Sequence, residues 1–237
     1  LEDPEACRRL IVATMRAGAW EQRLPAIRAE KRRILDEAQA LPVLDRLAQG
    51  WRAAEALTVR VVNLDRRPDR WAALAAHLGE VAPALWAKVE RRPAVDGRDL
   101  TRTGDIGRIF AHNDFGWRRA VIGCALSHLA LWREVAEADG PTLVLEDDVR
   151  VDEGAWGELV EALGLLSTRH PDVDLGFLGF TPWPGRPSRV RPDVVGPLRW
   201  QPVPWAEYQG GTTSYLLSPA GARKLLALVE ARGMVTA

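Results

Sequence analysis

Glu146, Asp147 and Asp148 directly follow the apolar run Leu143-Val144-Leu145. Three carboxylates at the end of a strand repel one another unless a cation or hydrogen-bond donors compensate. Side chains alternate along a strand, which predicts Glu146 and Asp148 on one side and Asp147 between them at the turn. Hard divalent cations such as Mg²⁺ or Mn²⁺ take oxygen ligands of this kind and share them with substrate phosphates. The competing reading is a solvated acidic turn.

A second group runs from Asn63 through Leu64, Asp65, Arg66, Arg67, Pro68 and Asp69 to Arg70. It joins an apolar β-branched run, VRVVNL, to an amphipathic stretch carrying Trp71, Leu74 and Leu78 on one helical face. Backbone N–H groups at such a helix start meet anions, and Arg grips phosphate. Asn63 could serve a base or ribose, and Asp65 could cap the helix. The alternative is a capped helix with ion pairs along its face. A third group, Gly123-Cys124-Ala125-Leu126-Ser127-His128, opens a long amphipathic helix over residues 123–138. Ser127 could touch a ligand or bond back to its own helix. His128 reads as a hydrogen-bonded core residue and Cys124 as buried packing. A fourth, Gly210-Gly211-Thr212-Thr213-Ser214-Tyr215, holds paired glycines that let a backbone approach a ligand closely. Trp183, Trp200 and Trp205 stand in a Pro-rich stretch. Their indole faces suit the rings of a sugar acceptor, or they pack beneath a long loop.

These residues need a scaffold. Buried strands are expected at VRVVNL, weakly near residues 87–89, at PTLVLEDDV, at DVDLGFLGF and at TSYLLS. Helices alternate with them, including 156–166 and 220–231. The turn signal Asp96-Gly97 follows the second strand. Residues 101–117 and 181–206 read as loops. Strands alternating with helices predict an α/β fold with a mostly parallel sheet flanked by helices. Residues 1–57, rich in Ala, Arg, Glu and Leu, read as a helical appendage of two or three helices, and residues 58–237 as the main domain.

Hydrophobic residues make up 47% of the 237 and charged residues 27%, which is a globular composition. Lys plus Arg and Asp plus Glu are both 32, so there is no basic excess of the kind a nucleic-acid binder shows. Cys7 and Cys124 lie far apart and imply no disulfide framework, so a reducing, cytoplasmic setting is expected. No apolar run is long enough for a transmembrane helix, which leaves at most peripheral association with the inner face of a membrane. The chain starts at Leu and stops at GMVTA; a piece of a longer protein, with a domain upstream, is the expectation.

The stretches VVNLDRRPDRW, PAVDGRDL, IGCALSHLALW, LVLEDDV, VDLGFLGF and GTTSYLLSPAGARKLL occur in one order over about residues 59–228. Their set resembles glycosyltransferase family 25, which includes bacterial lipooligosaccharide and lipopolysaccharide galactosyltransferases and collagen galactosyltransferases. The resemblance implies a GT-A-like Rossmann-type fold. It implies a UDP-sugar donor, commonly UDP-galactose, a glycan or protein acceptor, and a divalent cation, Mn²⁺ before Mg²⁺. It places Asn63, Leu64, Arg66 and Arg70 on the family's first nucleotide-side motif, Asp96 and Gly97 on its second, and Glu146, Asp147 and Asp148 on its acidic, metal-binding motif. Ser127, Gly211 and Thr212 join the nucleotide-sugar side. Inverting chemistry, as the family implies, needs a general base near the acceptor. Glu207 is the candidate, with Asp174 as the spare, and Trp183 and Trp205 are the acceptor-side candidates. The chain departs from the family in carrying Ala120-Val121 ahead of Ile122-Gly123-Cys124, where Gly-Glu is common. Residues 1–57 lie outside the resemblance. A non-catalytic carbohydrate- or partner-binding module on the same fold, or an Mg²⁺-dependent phosphohydrolase, are the rival readings.

Overall fold

A computed structural model describes residues 9, 12–13, 19–33, 40–113, 115–182, 193–195, 198–200 and 209–234. The chain divides into two compact units, Leu1–Ala48 and Gln49–Ala237. The first contains helix α1 (Ala19–Arg33), and helix α2 (Ala40–Ala56) runs across the division.

The second unit is built on a five-stranded sheet. Its strands are β1 (Thr58–Asn63), β2 (Val89–Pro93), β3 (Thr142–Glu146), β4 (Leu175–Pro182) and β7 (Gln209–Leu217), in the order β2-β1-β3-β7-β4. Strands β2 and β3 both pair parallel to β1. Strand β7 pairs antiparallel to β3 and to β4, so four of the five strands run one way. Strands β5 (Asp193–Val195) and β6 (Leu198–Trp200) form a separate antiparallel pair inside the stretch expected to be a loop.

Alternation along the strands builds two cores. Val59 and Val61 of β1 and Leu143 and Leu145 of β3 share one cluster with Leu74 and Leu78 of α3 (Pro68–Val81). Leu159 and Leu163 belong to the same cluster, on α7 (Ala155–Arg169), which lies beyond α4 (Pro83–Trp86), α5 (Gly104–Ile109) and α6 (Arg119–Ala136) in the chain. Val62 and Val144 belong to the opposite cluster, with Leu131 and Val135 of α6 and Ala222 of α8 (Pro219–Arg232). A sheet whose two faces are both apolar must be covered on both. The α/β class expected from the sequence, a mostly parallel sheet flanked by helices, is the class observed.

The register sets the working edge. Asn63 pairs with Pro93 and Val62 with Glu146, so the carboxyl ends of β1, β2 and β3 lie side by side. The chain leaves β1 toward β2 and returns past it to β3, and such a switch point leaves a crevice at the strand ends where ligands bind.

Candidate functional site

The loop after β1 is fixed by Asn63. Its side chain is 1% exposed, and its amide donates to Asp147 Oδ2 at 2.7 Å and to Arg67 O at 3.1 Å. Its Oδ1 accepts from Arg91 Nε at 2.7 Å. Both amide hydrogens are therefore engaged within the protein, and Asn63, for which a base or ribose contact was expected, braces the loop from its buried position. Asp65 does not cap α3. It pairs with Arg91 at 2.7 Å, while Arg67 occupies the N-cap position without a side-chain bond and Pro68 starts the helix.

Arg70, on the first turn of α3, reaches back to the acidic turn. It lies 2.8 Å from Asp147 Oδ1 and 3.3 Å from Asp148 Oδ2. Glu146 goes elsewhere, with its Oε1 3.4 Å from His128 Nε2. The pairing differs from the expected alternation because β3 ends at Glu146 and a turn begins at Asp147. Asp147 and Asp148 thus share one guanidinium, and the three carboxylates do not converge on one point.

The second loop is clamped to α6. Ser127 Oγ accepts from Val95 N at 2.8 Å and donates to Gly123 O at 2.7 Å. Asp96 caps the 3-10 turn at Gly97–Asp99 by accepting from Arg98 N, and it also pairs with Arg66. The Arg98 N–H and then the Arg66 guanidinium hold the Asp96 carboxyl below its ordinary value. A depressed folded-state pKa contributes stability above the unfolded value, lost as pH falls through the folded one. Asp96 should therefore stay ionised below the usual carboxylate range, with the cap opening only beneath it. A carboxylate NMR titration that finds Asp96 at or above the ordinary value would contradict this.

These loops enclose a cleft of about 540 Å³. Its lining includes Leu64 and Arg66 from the first loop, Arg70 from α3, Asp96, Gly97 and Arg98 from the second loop, Arg119, Cys124, Ser127 and His128 from α6, Glu146 at the end of β3 and Asp147 in the turn after it. Arg66 pairs with Asp96 and Arg70 with Asp147. Arg98 and Arg119 also line the cleft and make no ion pair among the described residues, and Arg119 Nη1 donates to Arg98 O at 3.1 Å, which holds the two residues together.

The sequence profile described as glycosyltransferase family 25 (LPS biosynthesis protein) matches residues 57–163, which hold this cleft. Over residues 57–163 the chain is similar to glycosyltransferase family 25. Among similar proteins, a probable inactive glycosyltransferase 25 family member 3 from Bos taurus is 32% identical over 187 residues, covering 75% of this chain and 30% of its own. Procollagen galactosyltransferase 2 from Mus musculus is 30% identical over 176 residues, covering 70% of this chain and 27% of its own. A glycosyltransferase 25 family member from Aedes aegypti is 33% identical over 181 residues, covering 71% and 27%. The chain spans less than a third of the length of these relatives.

The fold gathers most of the residues singled out in the sequence. Leu64, Arg66, Arg70, Asp96, Gly97, Ser127, Glu146 and Asp147 line one cleft. Asn63 braces it from behind, and Asp148 stands exposed beside it. Gly211 and Thr212 lie in β7 upstream of Ser214, the partner of Leu145, and so at the same sheet edge as Glu146. Asp174 does not join them. It precedes β4 at the other end of the sheet, where its side chain pairs with Lys224 and its carbonyl accepts from Ser218 N. Glu207, Trp183 and Trp205 lie outside the described residues. Four further residues line the cleft. Arg98 and Arg119 offered no signal beyond their charge. Cys124 is exposed on the cleft rather than buried. His128 is buried as expected, and its Nε2 lies 3.4 Å from Glu146 Oε1.

Proposed function

We propose that this chain carries the donor-binding part of a hexosyltransferase that moves a sugar, galactose in the first instance, from a UDP-sugar to a hydroxyl of a glycan or protein acceptor. The observation that carries this reading is the pair Arg98 and Arg119, which line a cleft at the strand ends where Arg66 and Arg70 are already paired with Asp96 and Asp147. A diphosphate supplies the missing negative charge, and planar guanidinium groups suit its oxygens. The start of α6 adds backbone N–H groups at Arg119 and Ala120 on the same wall. The relatives named as galactosyltransferases support the choice of hexose.

A hard divalent cation, Mn²⁺ or Mg²⁺, fits the oxygen donors of Asp147 and Asp148. Asp148 is half exposed, and one or two carboxylates with phosphate oxygens and water are the usual set. Bound there, the cation would offset charge on the departing diphosphate. Arg70 contacts both carboxylates, and Asn63 fixes Asp147 on the cleft wall with Asp148 exposed beside it. The acceptor side, with Trp183, Trp205 and the base Glu207, is assigned on sequence grounds alone.

UDP should raise the melting temperature, because a ligand that binds only the folded form stabilises it. The shift should exceed that from ADP or GDP, and Arg119→Ala should reduce it. Equal shifts from the three nucleotides would overturn the UDP assignment. A second reading follows from relatives named inactive, namely a module that keeps the fold without turnover. UDP binding with no release of UDP from any UDP-sugar, in the presence of Mn²⁺, would favour it.

A further inference from the structure

We propose that Cys124, His128 and Glu146 form a binding site for a borderline-soft divalent cation, Zn²⁺ in the first instance, on the wall of the cleft. Cys124 and His128 are four residues apart on α6 and so share one helix face. Glu146 ends β3 opposite them. One ligand atom from each residue lies within 4.8 Å of the others. His128 is 3% exposed, and its Nε2 makes no hydrogen bond among the described residues although Glu146 Oε1 lies 3.4 Å away. A buried ring nitrogen without a hydrogen bond, aimed at a carboxylate and a sulfur, is the feature that a cation would satisfy.

The shell behind His128 is built for this role. Its Nδ1 lies 2.8 Å from the Tyr215 hydroxyl, which also accepts from Trp132 Nε1 at 3.0 Å. The tyrosine oxygen has two acceptor lone pairs, so it can take N–H from both rings. With its proton on Nδ1, His128 turns the lone pair of Nε2 toward Glu146. Metal-binding histidines are oriented in this way by a hydrogen bond from the other nitrogen. The opposite tautomer, with Tyr215 donating to Nδ1 and an Nε2–H facing Glu146, makes His128 only a prop for that carboxylate.

The donor set selects the ion. Thiolate, imidazole and carboxylate together suit Zn²⁺ or Co²⁺, whereas Mg²⁺ and Mn²⁺ prefer oxygen alone. The site is therefore chemically distinct from Asp147 and Asp148. Three protein ligands leave a fourth position for water, as in open zinc sites. Cys124 is exposed, so an ion has a way in. On binding, the thiol releases its proton to solvent and the sulfur–metal bond forms with no change of oxidation state.

Titrating the full chain with Co²⁺ under reducing conditions tests the site without any nucleotide or turnover, so its result is separate from the proposed transferase function. Stoichiometric Co²⁺ should produce a near-ultraviolet thiolate charge-transfer band, and Zn²⁺ should displace it. Cys124→Ser should abolish the band, Cys7→Ser should keep it, and Glu146→Gln should weaken Co²⁺ binding. Cys124 is exposed, so its serine variant should fold normally by circular dichroism. Absence of the band in the unmodified chain, its survival in Cys124→Ser, or unchanged affinity in Glu146→Gln overturns the proposal.

Discussion

Gly97→Ala should lower stability by about 3 kcal/mol, at the upper end for overpacking, and should erase stabilisation by UDP. A methyl group at Gly97 would sit 2.2 Å from the Arg119 carbonyl oxygen and 2.9 Å from the Ala120 nitrogen. Both contacts are with backbone at the start of α6, which cannot rotate aside as a side chain can. From the other direction, a methyl at Gly123 would meet Val95 O at 2.7 Å and Gly97 N at 2.9 Å. Two glycines facing each other thus let the 95–97 loop lie directly on the helix. That contact in turn places Asp96, Arg98 and Arg119 around one cleft. Separating loop and helix widens the cleft and moves Arg98 away from Arg119. Gly79→Ala is the control. Gly79 lies inside α3, where an added methyl meets nothing within 4 Å, so the exchange should stabilise the protein by about 0.5–1 kcal/mol through helix propensity alone. Urea denaturation of both variants, with UDP thermal shifts on the same samples, measures the contrast. Gly97→Ala retaining normal stability and a normal UDP shift would show that the close approach does not position the site.

Local pattern carried β1, β3, α6 and α8 because the two strands are buried on both faces and the two helices along one. Val59, Val61 and Val62, Leu143 to Leu145, and Leu131 with Val135 are apolar where the sheet and helix periods require it. Pattern failed where tertiary context decides. Strand β2 is an edge strand with the sequence VERRP, and edge strands favour charge and proline over an apolar run. Its expected place near residues 87–89 was therefore early. Helix α5 inside the expected loop is short and is set by Thr103, whose side chain accepts from Ile106 N. The direction of β7 is a matter of connection and leaves no mark in its composition. In the site, residue types announced the acids and arginines, but their division into pairs did not follow from spacing. Arg70 claims Asp147 and Asp148 across more than seventy positions, and Tyr215 reaches His128 across more than eighty. Burial pushes the Tyr215 phenol up, so it keeps its proton at neutral pH and stays a neutral member of that chain of hydrogen bonds.

The division within the acidic turn leads to an unequal pair of substitutions. Asp147 is 8% exposed and accepts from the buried Asn63 amide and from Arg70. Asp147→Ala strips both donors of their acceptor, and an unsatisfied buried donor costs about 1–3 kcal/mol. The Arg70 contact adds less, since Arg70 is itself well exposed and water screens it. Asp148 has a half-exposed side chain and a single longer contact at 3.3 Å to Arg70, so Asp148→Asn should change stability by no more than about 0.5 kcal/mol. Its charge is expected to matter when nucleotide binds. A diphosphate beside these carboxylates is repelled unless a cation lies between them, and Asp148 is the carboxylate with room to hold one. Calorimetric titration with UDP, in Mn²⁺ and in EDTA, separates the effects. The unmodified chain should bind UDP on the order of tenfold more tightly with Mn²⁺, a difference of about 1.4 kcal/mol. Asp148→Asn should bind with one weak affinity in both buffers while melting like the unmodified chain. Asp147→Ala should melt early even without ligand. If EDTA leaves the affinity of the unmodified chain unchanged, or if Asp148→Asn keeps the full response to Mn²⁺, the acidic turn does not hold the cation and the arginines must hold the diphosphate unaided.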